Sequence, residues 1–301
     1  MQEKVCIALS TYNNQTIIDK CLESCLEQDY PNLEVVVADD GSTDETLAIL
    51  NKMASKYKNL HIISLPHQER GIARKEAINV ASQINANYLY FIDSDMILLE
   101  GLIYSCVQYL HENSNVGALV IPEIPRTSFT NFYSKVKVFE RETINFENEM
   151  VSANSIEAAR FWRMTAYQES EGLNEKQIAF EEIQPTIRYL EKGGTIRRAI
   201  FSGVYHDEGY VTFKNIIAKK AYYFNQMPKT FQTEEQGFKK ALTRWYFFRA
   251  SLYSFGNIKR YIKHPLLTCG MFFMYVALTV VALQSILKSK KKQLSVHKGE
   301  T

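Results

Sequence analysis

The stretch YLYFIDSD, residues Tyr88–Asp95, has the pattern of a buried strand that ends in two acidic residues. Two other apolar runs end in the same way: Val5–Leu9 leads into Ser10–Asn13, and Leu33–Ala38 leads into Asp39–Asp44. In an open α/β sheet, ligands bind just beyond the carboxyl ends of the strands. Three polar strand ends, two of them with paired aspartates, therefore predict a pocket for a metal-bound nucleotide.

The segments between these strands predict the fold class. Apolar residues recur at helical spacing after each of the first two strands. A third strand is expected at Leu60–Leu65 with a helix over Gly71–Ala86, and a further helix, Gly101–Leu110, precedes a strand at Gly117–Ile121. Strands that alternate with such helices form right-handed βαβ units. The pattern predicts an α/β fold with a mostly parallel central sheet flanked by helices.

The pattern after Pro125 is less regular. It predicts a helix over Ser134–Asn148 and a second helix over Glu181–Lys192 that ends before a pair of glycines. A strand-like stretch, Thr195–Tyr205, follows and leads directly into His206.

Composition narrows the class of protein. The chain has 301 residues, of which 46% are hydrophobic and 23% charged, as in ordinary folded proteins. A formal net charge of +2 gives no case for a nucleic-acid partner. Cys21 and Cys25 lie four residues apart on an apolar helical face, so we expect them to pack in the core. An odd number of cysteines without a signal peptide is typical of a reducing cytoplasm.

The composition changes near the end of the chain. Leu266–Leu287 carries no charge and is long enough to cross the hydrocarbon core of a bilayer as a helix. The preceding segment, Arg244–Lys263, mixes aromatic and cationic residues as membrane interfaces do. We expect a membrane-bound chain whose catalytic domain is in the cytoplasm. A buried terminal helix, a re-entrant helix and a helix that lies in the membrane plane are the alternatives.

Asp93 and Asp95 have the spacing of a metal site. Two carboxylates at i and i+2 on a turn after a buried strand can face one hard cation, which prefers oxygen ligands and also holds a diphosphate. The alternative is a solvated turn, where Asp is common. Because two other polar strand ends are expected beside this turn, the sequence favours a Mn²⁺ or Mg²⁺ site.

The acidic run at Asp39–Asp44 permits two interpretations. It can be a turn in which Ser42, Thr43 or Asp44 caps the next helix. It can also hold a nucleoside, because a carboxylate accepts hydrogen bonds from a base or from ribose hydroxyls. Thr11 and Tyr12 at the neighbouring strand end would then line the base.

Four segments together resemble one enzyme family. Ala8–Asn13, Val36–Asp44, Arg70–Arg74 and Phe91–Asp95 are similar, in order and spacing, to the motifs of family-2 inverting glycosyltransferases with the GT-A fold. The resemblance covers about residues 4–125, and residues 126–215 more weakly.

The resemblance implies roles for individual residues. Asp40 would contact the uracil or other base, and Asp95 would be the main metal ligand with Asp93 on the ribose or the metal. Arg74 would lie near the diphosphate, the alternative being a surface arginine. The remaining expected nucleotide-sugar contacts are Thr11, Tyr12, Asn13, Asp39 and Ser94.

The family also carries an acidic pair, usually Glu-Asp, that opens a helix under the acceptor. Glu181 and Glu182 stand at this position, so Glu182 is implied as the general base, with Glu181 as the alternative. Both could instead be first-turn residues that complement the helix dipole. His206 is implied as a metal or diphosphate ligand, although a lone histidine is more often structural.

Together with these patterns, the resemblance implies a metal-dependent inverting glycosyltransferase that acts on a nucleoside-diphosphate sugar, with a UDP-sugar as the expected donor and a lipid-linked or cell-envelope glycan as the acceptor. A nucleotidyltransferase of related fold and an inactive, membrane-tethered sugar-nucleotide-binding protein are the alternatives. The expected division is a donor-binding half at residues 1–125, an acceptor-binding half at 126–215, a juxtamembrane region at 216–264, a membrane helix at 265–288 and a basic tail at 289–301.

Overall fold

A computed structural model describes residues 3–68, 70–145, 157–173, 183–233 and 245–298. The chain divides into two compact units. The first consists of Met1–Ile124 and Glu147–His206, and the second of Pro125–Phe146 and Asp207–Thr301.

The strands form two sheets. In chain order they are β1 (Val5–Thr11), β2 (Leu33–Asp39), β3 (Leu60–Ser64), β4 (Tyr88–Asp93), β5 (Met96–Leu98), β6 (Val116–Val120), β7 (Glu123–Arg126), β8 (Arg160–Arg163), β9 (Thr195–Arg198) and β10 (Val204–Asp207). The larger sheet has the order β3-β2-β1-β4-β8-β6-β9, and the smaller has the order β5-β10-β7. In the larger sheet only β8 runs antiparallel to its neighbours. The prediction of a mostly parallel sheet is confirmed.

The helices of the described residues lie between and after these strands. They are α1 (Ile18–Leu26), α2 (Thr46–Lys56), α3 (Arg70–Gln83), α4 (Leu102–Glu112), α5 (Phe132–Ile144), α6 (Met164–Glu169), α7 (Ile183–Glu191), α8 (Phe213–Thr233), α9 (Phe255–Lys263) and α10 (Pro265–Lys298).

The larger sheet separates two apolar cores, because alternate residues of a strand point to opposite faces. Ile7 and Leu9 of β1 pack with α1, α2 and α4, whereas Cys6 and Ala8 pack with α3 and α6. Cys21 and Cys25 are fully buried in the first core, as predicted. A hydrogen bond with Cys25 and burial both raise the pKa of the Cys21 thiol, so this side chain stays neutral.

The strand-like stretch Thr195–Tyr205 is not a single strand. The chain leaves the larger sheet after β9, turns at Ala199, and enters the smaller sheet as β10. Gly203 permits the close approach of the following segment to Pro122, since a Cβ there would lie 2.9 Å from the Pro122 carbonyl oxygen. Ile200 and Phe201 are exposed at the turn, so the apolar run does not correspond to a continuous buried strand.

The cap of α2 differs from all three predicted candidates, because the N-cap residue is Glu45 and its side chain makes no capping hydrogen bond. The helix begins at Thr46, too late for Ser42 or Thr43 to cap it. Asp44 instead accepts a hydrogen bond from the Thr46 N–H at 3.0 Å. This contact leaves Ser42 available for a different partner at the end of β2.

The second unit is helical around its own apolar core. Residues of α5, α8 and α10 pack together there, among them Val136, Phe139, Ile216, Met274 and Tyr275. Within the described part of the chain, one segment, Pro265–Ser285 in α10, is long and apolar enough to cross a membrane, and 33% of its most apolar window is buried.

Candidate nucleotide-sugar site

The three polar strand ends predicted from the sequence lie side by side. In the register of the larger sheet, Thr11 of β1 is beside Asp39 of β2, and Ser10 is beside Asp93 of β4. Neighbouring strands are about 4.8 Å apart, so the three strand ends form one continuous polar edge.

Asn13 joins the first two of these strand ends. Its backbone N–H donates to Ser42 Oγ at 2.9 Å, and its side-chain oxygen accepts from the Thr43 N–H at 2.8 Å. Its φ of +47° lies in the left-handed region, which Asn tolerates better than most residues. Asn13 therefore shapes the loop that follows β1.

Asn14 joins the loop after β1 to the turn after β4. Its side-chain amide donates to Ser94 Oγ at 2.9 Å and to the Ser94 carbonyl oxygen at 3.0 Å. The sequence did not indicate this role for Asn14, and the contact accounts for the position of Ser94.

Asp39 and Asp40 are both buried, but they have different partners. Asp39 accepts from the N–H and the hydroxyl of Ser42, which closes the turn after β2. Asp40 accepts from the Gln68 N–H at 2.9 Å and lies 3.0 Å from Nδ1 of His67. Asp40 thus faces the loop that follows β3.

His67 and Tyr12 form an aromatic pair next to Asp40. Their rings stack with centroids 4.1 Å apart and an interplanar angle of 15°. Tyr12 is 45% exposed, so its ring can contact a ligand. Thr11 is buried, which leaves little of its side chain to line a base. The sequence did not indicate His67.

Arg74 is not a surface arginine. Its side chain is buried on α3 and forms an ion pair with Asp93. Its guanidinium carbon also lies 5.9 Å from the centre of the Phe91 ring. Arg74 therefore fixes one carboxylate of the Asp93–Asp95 turn.

Asp95 and His206 face each other at two adjacent strands of the smaller sheet. Asp95 precedes β5, and His206 on β10 is paired with Met96 of β5. His206 Nε2 lies 3.6 Å from Asp95 Oδ2, and the Asp95 side chain is 44% exposed. The other ring nitrogen, Nδ1, lies 2.8 Å from Oε2 of Glu123.

Glu123 is a buried carboxylate that the sequence did not indicate. Its Oε1 accepts a hydrogen bond from the backbone N–H of Ala158 at 2.7 Å, and its Oε2 faces His206. A carboxylate oxygen accepts and cannot donate, so this contact places the imidazole proton on Nδ1. In the neutral imidazole the lone pair is then on Nε2, the ring nitrogen that lies 3.6 Å from Asp95 Oδ2.

No group of three or more His, Cys, Asp or Glu side chains in the described part of the chain is arranged to hold a metal ion by itself. The donor set nevertheless fits a hard divalent ion. Mg²⁺ sites commonly use one or two carboxylates and complete the shell with water and substrate phosphates. Asp95 Oδ2 and His206 Nε2 are 3.6 Å apart, so a small shift of either side chain would let both contact one ion.

Glu181 and Glu182 lie outside the described residues, so their geometry is not part of this site. The helix that follows them is anchored near the polar edge. Arg160 is paired with Phe91 of β4, and its Nε donates to Thr186 Oγ1 of α7 at 2.9 Å. Both Arg160 and Thr186 are buried.

The sequence of the chain is similar to that of known glycosyltransferases. It is 35% identical over 96 residues to the poly(ribitol-phosphate) beta-glucosyltransferase of Bacillus spizizenii, a match that covers 31% of this chain and 15% of that protein. It is 25% identical over 226 residues to the chondroitin synthase of Escherichia coli, covering 73% and 31%. The chain spans less than half the length of the curated relatives it matches.

Solved structures have the same fold. The mannosyltransferase PcManGT of Pyrobaculum calidifontis, in complex with GDP-Man and Mn²⁺, matches with a TM-score of 0.60 and 16% identity over 94% of this chain and 88% of that one. TarS 1–349 of S. aureus, in complex with UDP-GlcNAc, matches with a TM-score of 0.56 and 18% identity over 91% and 81%. The GT-A fold expected from the sequence is confirmed.

The family follows from the extent of the sequence match. Residues 6–170, more than half of the chain, match the family described as Glycosyl transferase family 2. The match includes all three polar strand ends of the larger sheet. The chain belongs to glycosyl transferase family 2.

Proposed function

We propose that this protein transfers a sugar from a nucleoside-diphosphate sugar to a glycan or lipid-linked acceptor, with inversion at the anomeric carbon. The observation that carries the proposal is the polar edge on which Asp40, the Asp93–Asp95 turn and His206 come together. We assign donor binding to residues 1–125 and acceptor binding to residues 126–215.

The nucleoside is assigned to the end of β2. Asp40 supplies acceptor oxygens for a base N–H, and the exposed Tyr12 ring offers a stacking surface beside His67. Thr11, Asn13, Asp39 and Ser94 complete the donor site by shaping its loops. A UDP-sugar is the proposed donor, supported by the UDP-GlcNAc complex of TarS.

The diphosphate is assigned to the turn after β4. Asp95 and His206 would hold Mn²⁺ or Mg²⁺ there, with Asp95 as the main ligand and Asp93, which is paired with Arg74, on the ribose or the metal. When bound, the ion supplies a Lewis acid that stabilises charge on the departing nucleoside diphosphate. Arg74 positions Asp93, and its cationic charge favours a phosphate at this place.

Glu123 positions His206 in this scheme. A metal-binding histidine commonly donates its second N–H to a carboxylate, which fixes the tautomer and the orientation of the ring. Glu123 holds Nδ1 of His206 in this way, and the Ala158 N–H holds Glu123. The lone pair of Nε2 is thereby kept on the side of Asp95.

Glu182 is the proposed general base, with Glu181 as the alternative. It would take the proton of the acceptor hydroxyl while the acceptor oxygen attacks the anomeric carbon from the face opposite the leaving group. The bond from Arg160 to Thr186 supports this assignment, because it ties α7, which starts at Ile183, to the strand next to β4.

The acceptor is assigned to the membrane surface. The apolar segment Pro265–Ser285 supports membrane association, and nucleotide sugars are made in the cytoplasm. We therefore place the catalytic part of the chain on the cytoplasmic side, with a lipid-linked or cell-envelope glycan as the acceptor.

A donor screen tests the proposal. Release of nucleoside diphosphate from a panel of nucleotide sugars would be measured with Mn²⁺, with Mg²⁺ and with a chelator. Metal-dependent release from one donor, followed by product with inverted configuration by NMR, is the expected result. Release of pyrophosphate from a nucleotide would indicate a nucleotidyltransferase. Donor binding without turnover, on a full set of acceptors, would indicate an inactive binding protein.

A further inference from the structure

Helix α10 has two apolar faces with opposite environments. One face packs on the second unit and is almost fully buried at Met271, Met274, Tyr275, Leu278 and Ala282. The other face is open along its length at Leu266 (77% exposed), Phe273 (58%), Val276 (54%), Val280 (47%), Leu283 (55%) and Leu287 (60%). These exposed residues recur at intervals of three, four or seven, so they form one stripe. We call them the open stripe.

Helix α9, which directly precedes α10, also carries exposed apolar residues together with basic ones. Phe255, Ile258 and Ile262 are 74%, 47% and 76% exposed, and they share one face of the helix by their spacing. Lys259, Arg260 and Lys263 lie between and beside them in the sequence, and four lysines follow the open stripe at Lys288–Lys292. Exposed apolar residues with flanking cations match an anionic lipid surface.

The buried face of α10 argues against a helix that crosses the bilayer alone. Tyr275 is at the midpoint of the apolar segment Pro265–Ser285. Its ring stacks on Tyr246 with centroids 4.8 Å apart, and the Arg249 guanidinium lies 5.4 Å from the centre of the Tyr246 ring. In a crossing helix, this cation would lie close to the bilayer centre.

An ion pair also lies near Tyr275. Glu140 of α5 is buried in ion-pair contact with Lys137. Burial and the negative charge of Glu140 both raise the pKa of Tyr246 and of Tyr275. Ionised side chains near the bilayer centre are expensive. A helix parallel to the membrane avoids this cost, because its buried face and these charges stay on the protein side.

We propose that α10 lies in the plane of one leaflet, with the open stripe among the acyl chains and α9 among anionic headgroups. This inference rests on the membrane association in the proposed function. The apolar face of α10 would be buried about 5–10 Å into the boundary between headgroups and acyl chains, as in other interfacial helices. The occupant of the open stripe is therefore lipid, and both ends of α10 lie on the same side of the membrane.

Cysteine labelling tests the placement of the two ends. In the full-length chain with Cys269→Ser, single cysteines would be introduced as His264→Cys or Ser289→Cys. The other native cysteines, Cys6, Cys21, Cys25 and Cys106, are buried. A membrane-impermeant maleimide applied to intact expressing cells should leave both positions unlabelled, and lysis should expose both. Labelling of one position in intact cells and of the other only after lysis would overturn the proposal.

Vesicle flotation tests the open stripe. The double variant Phe273→Ser/Val280→Ser should lower the fraction bound to anionic vesicles by about 10-fold. Ile200→Ser in the first unit is the matched control, because Ile200 is also 58% exposed but lies outside the stripe. Equal flotation of both variants would overturn the proposal. The proposal would also be overturned if the wild type were a soluble dimer and the Phe273→Ser/Val280→Ser variant a monomer. The open stripe would then bind a second copy of the chain. Donor turnover is measured on the same samples, so normal turnover without vesicle binding rejects this inference alone.

Discussion

Two carboxylates, Asp95 in the first unit and Glu140 in the second, show opposite uses of negative charge. The Asp95 side chain is 44% exposed and faces His206 at 3.6 Å. The Glu140 side chain is only 4% exposed and is paired with Lys137. Although burial alone would raise it, the pKa of Glu140 is lowered to about 2, mainly by Lys137.

The different environments of the two carboxylates predict that one contributes to stability and the other to ligand binding. The charge of Glu140 is compensated by Lys137, so removing Glu140 leaves a partly buried cation without this partner and destabilises the second unit. Asp95 stands at a strand end where solvent or a cation reaches it, so removing it opens no cavity. Substitutions at the two positions should therefore affect different measurements.

The largest effect on turnover is expected at Asp95. Asp95→Ala should abolish metal-dependent release of nucleoside diphosphate and leave the melting temperature within a few degrees of wild type, because no packed group is lost. Asp29→Ala, an exposed aspartate before β2, is the control. Near-normal turnover by a folded Asp95→Ala protein would reject the metal assignment.

The next largest effect is expected at Glu182. Glu182→Gln keeps the size of the side chain but cannot accept a proton, so transfer should fall by about 10²–10⁴-fold. Donor binding, measured by calorimetry with the nucleoside diphosphate, should be unchanged. If Glu181→Gln is the more damaging of the two substitutions, the base is Glu181.

A smaller effect is expected at Glu123, through His206. In Glu123→Gln, the Ala158 N–H still requires an acceptor, so the Gln oxygen faces Ala158 and the Gln amide donates to Nδ1. The histidine proton then moves to Nε2, which can no longer bind a cation. Mn²⁺ affinity in the presence of UDP should fall by about 10–100-fold.

Two measurements separate this role from a purely structural one. The ¹⁵N shifts of the His206 ring in metal-free protein should report the change of tautomer. In a His206→Ala background, Glu123→Gln should have no further effect on Mn²⁺ affinity. An unchanged tautomer, or additive losses in the double variant, would contradict the positioning role.

The smallest effect on turnover is expected at Glu140. Glu140→Gln should lower the free energy of unfolding by about 3 kcal/mol at neutral pH and leave Mn²⁺ affinity unchanged. Because the folded-state pKa lies below the ordinary value of 4.5, the stabilisation is fully present above about pH 4.5. The difference between wild type and variant should shrink as pH falls from 4.5 towards about 2. Glu142→Gln, from a half-exposed pair with Arg260, is the control and should change stability by less than about 1 kcal/mol.

The sequence predicted those parts of the site that follow directly from a buried strand. Asp40, Asp93 and Asp95 were identified because an apolar run ends immediately before them. His67 and Glu123 were missed because their partners are distant: 27 residues separate His67 from Asp40, and 83 separate Glu123 from His206. Glu123 and His206 come together because β7 and β10 are neighbours in the smaller sheet.

The apolar C-terminal segment is a second feature whose structure the sequence alone does not determine. Length and lack of charge describe Leu266–Leu287 equally well as a crossing helix and as a buried one. Its two faces become distinct only when α5 and α8 cover one of them. The burial of Arg74 was missed for the same reason, because its partner Asp93 is supplied by another element.

The contacts of Asn13 and Asn14 have a consequence for the rate of donor capture. Three loops at the polar edge are already joined to one another before any ligand arrives. Their conformational entropy is lost on folding, so little ordering remains for the encounter with a nucleotide. Association should therefore be a single fast phase that depends linearly on donor concentration, without the saturation that a slow loop closure would impose.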